Sequence, residues 1–284
     1  MRRFSMKMSD REAHVTCATG FRGGSQKQEQ GRQAPVSVHV LCQGSQINII
    51  PVSPNWKRPF TDILFGLGFD PAKPLGYKIL KILIDYRDFV ASPKFRAELY
   101  SLETGSWRKI KYPYQQEGIP TSGLPGVLIG GSYYWAVSAS PNSIISFDFA
   151  SEKFSRRLIP FPGKIRFSRD SEHLLVEIDG SLAILLLTDD FGYDQVPYST
   201  LEIWVWNDES WYLKSKFKFP VAVNYVVGLF ENNKMFVRDI TGKVLLFDVA
   251  EPGSVDITGI CTTDPKVISM MPYVESCVPL NASE

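Results

Sequence analysis

The stretch ELYSLETGSWRKI, residues 98–110, decides the fold: an apolar run reaches Tyr100, a polar turn follows, and a second aromatic, Trp107, stands seven residues on. The same unit recurs as Phe147 with Phe154 in ISFDFASEKFSRRL (145–158) and as Trp204 with Trp211 in EIWVWNDESWYLKS (202–215). Ile49 with Trp56 in INIIPVSPNWKRP (47–59) is a weaker copy, and Phe247 in LLFDVAEPGSVDI (245–257) opens another that has lost its second aromatic. First positions 49, 100, 147, 204 and 247 recur at a mean of roughly 50 residues, the period of a kelch-type propeller repeat. The longest gap contains TDDFGYDQVPYST (188–200), whose Gly, Pro and Asp content predicts a long surface loop added to one repeat.

Working outward from these pairs, three units carry an earlier hairpin signal. GVLIGGSYYWAV is expected to turn at Gly130 and Gly131, LLVEIDGSLAIL at Asp179 and Gly180, and VVGLFENNKMFV at Asn232 and Asn233. These residues tolerate the positive φ that two-residue hairpins demand. Two strands around that turn and two around the polar turn of the aromatic pair give four antiparallel strands, a propeller blade. Trp204 and Trp206 fall on one face of their strand and Ile203 and Val205 on the other, so both faces are apolar, as in a blade packed between two neighbours. The fold class is therefore all-β, a kelch-like β-propeller of about five to six four-stranded blades, with ring closure at the N-terminal end left open.

Of 284 residues, 44% are apolar and 13% aromatic, enough for a sizeable core. Lys plus Arg number 31 and Asp plus Glu 30, so no excess of positive charge draws the chain to nucleic acid or to an anionic membrane. The longest aliphatic run, Leu182–Leu187, is far short of the ~20 residues of a membrane helix, and no apolar signal region lies near Met1; the expected location is the cytoplasm, the nucleus or both. Cys17, Cys42, Cys261 and Cys277 form no CxxC pair and read as free thiols. Residues 1–34 show neither helical nor strand period and are expected to be a disordered tail, with the propeller domain at 35–284. Val36–Leu41 is expected to close the ring by pairing near the C-terminal strands.

Several of these segments, in this order, resemble the plant F-box proteins that carry a C-terminal F-box-associated, kelch-like interaction domain. FGLGFDPAKPLGYKILKI (65–82) is similar to the family's Phe-Gly-x-Gly-Phe-Asp opening and its following Tyr-Lys strand. AELYSLETGSWRKI (97–110), GVLIGGSYYWAV (126–137), IISFDFASEKFSRRLIPFP (144–162), LEIWVWNDESW (201–211) and YVESCVPL (273–280) continue the likeness over roughly residues 40–280. The resemblance implies a substrate receptor, in which an N-terminal F-box binds the small adaptor of a cullin-RING ubiquitin ligase and the C-terminal domain holds the target protein. Residues 1–40 show no Leu-Pro-rich start or amphipathic helices of F-box kind, and the family's Trp-Asn-Pro-Ser tract is replaced by Cys42, Gln43, Gly44 and Ser45. An adaptor partner is accordingly expected only where an F-box is supplied.

Candidate chemistry is sparse. His14, His39 and His173 are too scattered for a Ser-His-Asp or zinc constellation and read as incidental surface histidines. Gly66 and Gly68 begin a GxGxxG-like string that Pro71 breaks with no helix following, so they are read as permitting a bend or close packing within a strand. Asp189, Asp190 and Asp194 match no calcium-loop order and read as a solvated loop, and Asn281 heads a chance sequon. No catalytic residue, metal or cofactor is expected. Arg156, Arg157, Lys164, Arg166 and Arg169 cluster around a Pro-containing loop and are candidates to receive an acidic or phosphorylated segment of a partner. Of the aromatics Tyr133, Tyr134 and Trp135, at least one is expected in the core. The leading function is thus non-catalytic protein recognition. The alternative is a propeller enzyme acting on sugars or esters at a central channel, which would need paired carboxylates or a histidine at repeated inner-strand positions.

Overall fold

The computed structural model describes residues 2–6, 13–17, 38–41, 47–50, 61–73, 76–85, 94–114, 119–120, 126–138, 143–163, 171–190, 198–219, 221–230 and 234–248. All regular structure among them is β-strand, and the chain divides into two compact units. In the first, β1 (Arg2–Met6), β2 (Ala13–Cys17), β3 (Val38–Leu41) and β4 (Ile47–Ile50) pair antiparallel in sequence order. The next sheet is β5 (Thr61–Phe69), β6 (Tyr77–Asp85), β7 (Lys94–Ser101) and β8 (Ser106–Ile110), again in order.

The second unit begins with β9 (Ile119–Pro120), β10 (Val127–Ile129), β11 (Ser132–Ser138), β12 (Ser143–Asp148), β13 (Lys153–Phe154) and β14 (Ile159–Pro160). Here β9 and β10 both pair β11, while β13 and β14 both pair β12, so this is a four-stranded blade whose two outer strands are each interrupted. Then come β15 (Ser171–Ile178), β16 (Ser181–Asp190), β17 (Tyr198–Trp206) and β18 (Trp211–Lys218) as one sheet. The last described sheet is β19 (Val223–Phe230), β20 (Lys234–Asp239) and β21 (Val244–Asp248). Five consecutive up-and-down antiparallel sheets bear out the all-β, blade-based reading.

The turns behave as their residues dictate. Gly130 and Gly131 (φ 55° and 85°) and Asp179 and Gly180 (φ 52° and 77°) are two-residue hairpin turns closed by Ile129 opposite Ser132 and Ile178 opposite Ser181. The β19–β20 hairpin is present, with Phe230 opposite Lys234; Asn232 and Asn233 lie outside the described residues. Two of the aromatic pairs are cross-strand neighbours: Tyr100 faces Trp107 with rings 5.3 Å apart, and Phe147 faces Phe154 at 4.9 Å. The third is different. Trp211 lies opposite Trp206, not Trp204, with rings 5.3 Å apart, and a register shift at Ile203 and Trp204 sets Trp204 opposite Leu213. Equal spacing in sequence thus conceals a two-residue difference in register. The weak copy at Ile49 is also displaced: it sits in β4, the fourth strand of its sheet, whereas Tyr100 and Phe147 sit in third strands, and Trp56 lies outside the described residues.

Three further expectations change. Within the supposed tail, Arg2–Met6 and Ala13–Cys17 form paired strands, because backbone pairing does not require a side-chain period. Val38–Leu41 has β2 on one edge and β4 on the other, which leaves no edge for a C-terminal strand. The insertion at 188–200 is strand at both its ends: Thr188 faces Thr200, Asp189 faces Ser199 and Asp190 faces Tyr198, while 191–197 lie outside the described residues. Buried Ser199 ties this extended hairpin to β19, its hydroxyl accepting from Val223 N at 2.8 Å.

The alternation of β17 is as read. Trp206, with the partly buried Trp204 and Trp211, joins Ile129, Ile144, Phe161, Leu175, Leu182 and Ile184 on one side of the blade. On the other side Ile203 and Val205 pack with Phe219, Val223, Met235 and Val237. Each fully buried aliphatic or aromatic side chain contributes about 1.5–3 kcal/mol, so these two apolar layers supply a large share of the second unit's stability.

Candidate functional site

The outer edge of the β9–β14 blade is interrupted between β13 and β14. Phe154 faces Phe147 and Ile159 faces Ile144, so Ser155, Arg156, Arg157 and Leu158 stand opposite only Ile145 and Ser146. Two surplus residues must leave the plane of the sheet, and a bulge of this sort re-aims side chains at a blade edge. Arg156 and Arg157 are both exposed.

Hydrogen bonds hold the bulge and the strand that follows it, among them Ser155 Oγ donating to Arg157 O at 3.0 Å. Ser155 N donates to Ser146 O at 2.9 Å, keeping the first bulge residue on β12. Arg157 N donates to Ser155 Oγ at 3.2 Å, a local side-chain turn. The Tyr114 hydroxyl donates to Ser155 O, and Trp211 Nε1 donates to Pro160 O at 2.6 Å from the start of β18. The two long-range donors come from either side in sequence and fix the carbonyls that flank the arginines. Asp148, the nearest acid on β12, accepts from Ser151 N at 2.6 Å in the β12–β13 turn. Among the described residues, neither arginine has a carboxylate partner. Lys164, Arg166 and Arg169 lie outside the described residues, so of the five candidate residues the structure brings together Arg156 and Arg157. The contacts that Tyr114, Ser155 and Trp211 make at this loop were not part of the sequence reading, which had Trp211 only as a strand aromatic, because no spacing rule connects residues this far apart.

Gly126 borders the same blade by necessity: a Cβ there would stand 2.3 Å from Tyr134 O and 2.4 Å from the Tyr133 ring. Tyr133 and Trp135 are core residues with rings 4.4 Å apart, while Tyr134 lies half-buried on the opposite face, its hydroxyl pushed above the usual tyrosine range by burial.

Buried ionisable groups occur in both units. In the first, Lys78 Nζ stands 3.2 Å from Asp70 Oδ2, inside the segment that opens the family likeness. Burial pushes the Asp70 carboxyl up, but hydrogen bonds from Lys78 and from Ala72 N outweigh it and hold the carboxyl below its ordinary value. Gly76 makes this turn possible, since a Cβ would lie 2.1 Å from Asp70 O. On the other face of β6, Lys81 Nζ lies 3.4 Å from Glu98 Oε2 and 5.7 Å from the Trp107 ring centroid; burial depresses the ammonium below its usual range despite Glu98. Gly66 and Gly68 are strand residues facing Leu80 and Lys78, in keeping with the packing role read for them.

His173, expected at the surface, is buried at 7% exposure against the edge of Phe161, with ring centroids 5.2 Å apart. Its position on the same face as Leu175 places it in the apolar layer, and burial lowers its pKa from 6.5 to about 4. His14 and His39 lie on adjacent strands β2 and β3. Among the described residues, no group of three or more His, Cys, Asp or Glu side chains is placed to hold a metal ion. No helix among them is long and apolar enough to cross a membrane.

Consecutive four-stranded antiparallel sheets with apolar faces define a β-propeller type of domain. The chain matches the F-box associated beta propeller domain family over residues 45–279 and belongs to that family. It is 30% identical over 149 residues to an F-box protein of Arabidopsis thaliana, covering 50% of this chain and 36% of that protein. It is 36% identical over 94 residues to a putative F-box protein of the same plant, covering 32% and 24%. A putative F-box/kelch-repeat protein of Arabidopsis thaliana is 29% identical over 173 residues, covering 58% and 41%. The matched region thus amounts to between about a quarter and two fifths of the length of these relatives.

Proposed function

We propose that this chain is the target-recognition part of an F-box protein of a cullin-RING (SCF-type) ubiquitin ligase, acting in the cytoplasm or nucleus. Its blades hold the protein to be ubiquitinated by non-covalent contacts and carry out no chemistry of their own. The observation that carries this reading is the family match across residues 45–279, together with relatives that bear the F-box in their names. The geometry is of the right kind for it. Rigid apolar layers position irregular edges and loops, which is how recognition surfaces are displayed on β scaffolds. The ligase adaptor is a partner through an F-box segment, and the target protein through the propeller.

The test is a fusion: an F-box placed before Met1 of the full chain, expressed in plant cells beside the same F-box alone. Ubiquitin remnants on tryptic peptides are then quantified by mass spectrometry. The expected result is a small set of proteins ubiquitinated only with the fusion. A fusion that binds the adaptor yet modifies nothing beyond the F-box control overturns the proposal.

A further inference from the structure

We propose that the Ser155–Leu158 bulge is a docking site for an acidic peptide segment of the target, its anionic groups paired with Arg156 and Arg157; this rests on the target-recognition reading above. Three independent observations converge on it. The first is charge: the described residues 153–163 carry Lys153, Arg156 and Arg157 and not one Asp or Glu, in a chain whose net charge is +1. A neutral protein that concentrates cations in one segment creates a local field able to select an anionic partner.

The second is geometry. The bulge turns the two arginines out of the sheet at the outer edge of a blade, where both are exposed and neither is engaged by a carboxylate among the described residues. Guanidinium groups present paired N–H donors that match the two oxygens of a carboxylate or phosphate, so adjacent arginines suit a run of acidic side chains better than lysines would.

The third is preorganisation. A solvated loop needs no anchors, yet this one has its flanking carbonyls held by Tyr114 and Trp211 and its interior by Ser146 O and Ser155 Oγ. Fixing the backbone before binding lowers the ordering cost that a flexible arginine loop would incur on capture. The pins act on the backbone and leave the guanidinium groups available.

The experiment uses the full chain and fluorescence anisotropy of a fluorescein-labelled dodecapeptide of Asp, Glu, Ser and Leu. A second peptide carries phosphoserine at each Ser, and a third has Asn and Gln in place of Asp and Glu. The expected result is binding of the acidic peptides, weakened tenfold or more in R156E/R157E. Binding should stay within twofold in K214E/K234E, which changes the net charge equally at other exposed lysines. Tyr114→Phe, which leaves both arginines in place, is expected to weaken binding two- to fivefold. A gain with phosphoserine assigns phosphate as the preferred anion; equal binding assigns carboxylate. Equal losses in the two charge-reversed variants, equal binding of the neutral peptide, or no binding of either acidic peptide overturns the site. The F-box fusion separates the two proposals: if R156E/R157E ubiquitinates the same proteins as the parent fusion, the docking site fails and target recognition stands. If acidic peptide binding passes every test while the fusion modifies nothing, the reverse holds.

Discussion

The sheets β5–β8 and β15–β18 have the same four antiparallel strands in the same order, but they bury ionisable groups by opposite means. Strand β6 is buried along its whole length and carries Lys78 and Lys81 on opposite faces, each within reach of a carboxylate, Asp70 or Glu98. Strand β16 is aliphatic from Leu182 to Leu187, and its sheet keeps Lys214 and Lys216 toward solvent, where they meet Asp179 and Glu202 at 2.8 Å. The one histidine buried in that sheet, His173, is kept neutral by burial. The contrast teaches that burial tolerates a titratable group under one of two conditions: a partner charge at hydrogen-bond distance, or loss of the charge itself.

The largest effect should come from breaking the partnered solution. Glu98→Leu leaves the Lys81 ammonium without the carboxylate 3.4 Å away, and the unfolding midpoint in urea should fall by the equivalent of about 3–5 kcal/mol. Adding Lys81→Met in the same chain should recover most of that loss, since an apolar pair of similar volume needs no charge compensation. Failure of the second substitution to rescue would mean that Glu98 serves the fold through contacts other than the ion pair.

Breaking the neutral solution needs only acid. The unfolded chain protonates His173 near 6.5 and the folded chain only near 4, so the unfolded state binds the proton first as pH falls. Stability from this group is therefore complete above about pH 6.5 and declines through the window down to pH 4, by on the order of 3 kcal/mol. The measurement is the difference in stability between the parent and His173→Leu across that window. A pH-independent difference would show that His173 is not held neutral by burial.

Smaller effects sharpen the comparison. Ser199→Ala removes the buried acceptor of Val223 N and should cost about 1–3 kcal/mol by leaving that amide unsatisfied, read from the thermal midpoint. Lys214→Ala should leave the midpoint unchanged, because its partner Asp179 is 84% exposed and the pair is screened by water. A measurable loss there would contradict the view that the second sheet relies on its apolar layers.

Much of the fold was legible because strand physics is local. The Gly130–Gly131 and Asp179–Gly180 turns, the aromatic pairs Tyr100 with Trp107 and Phe147 with Phe154, and the two faces of β17 all follow from nearest neighbours and a period of two. What failed depended on register. The spacing of Trp204 and Trp211 equals that of the other pairs, yet a shift at Ile203 hands Trp211 to Trp206. The segment 188–200 was rich in turn-forming residues, but Asp189 and Asp190 extend the β16–β17 hairpin through pairing that composition does not encode. His173 offered no local sign of burial, since the Phe161 that covers it comes from the preceding blade.

The candidate site divides in the same way. The sequence by itself determined that this is a chain of repeated antiparallel blades with F-box-associated motifs in order, and that residues 153–163 carry positive charge without an acid. Only the tertiary structure decided that four residues stand opposite two between β13 and β14, that Tyr114 and Trp211 clamp the resulting bulge, and that Arg156 and Arg157 are left outward. The reason is physical: alternation and turn preference act over a few residues, whereas a bulge and its clamps are set by how strands distant in the chain come into register.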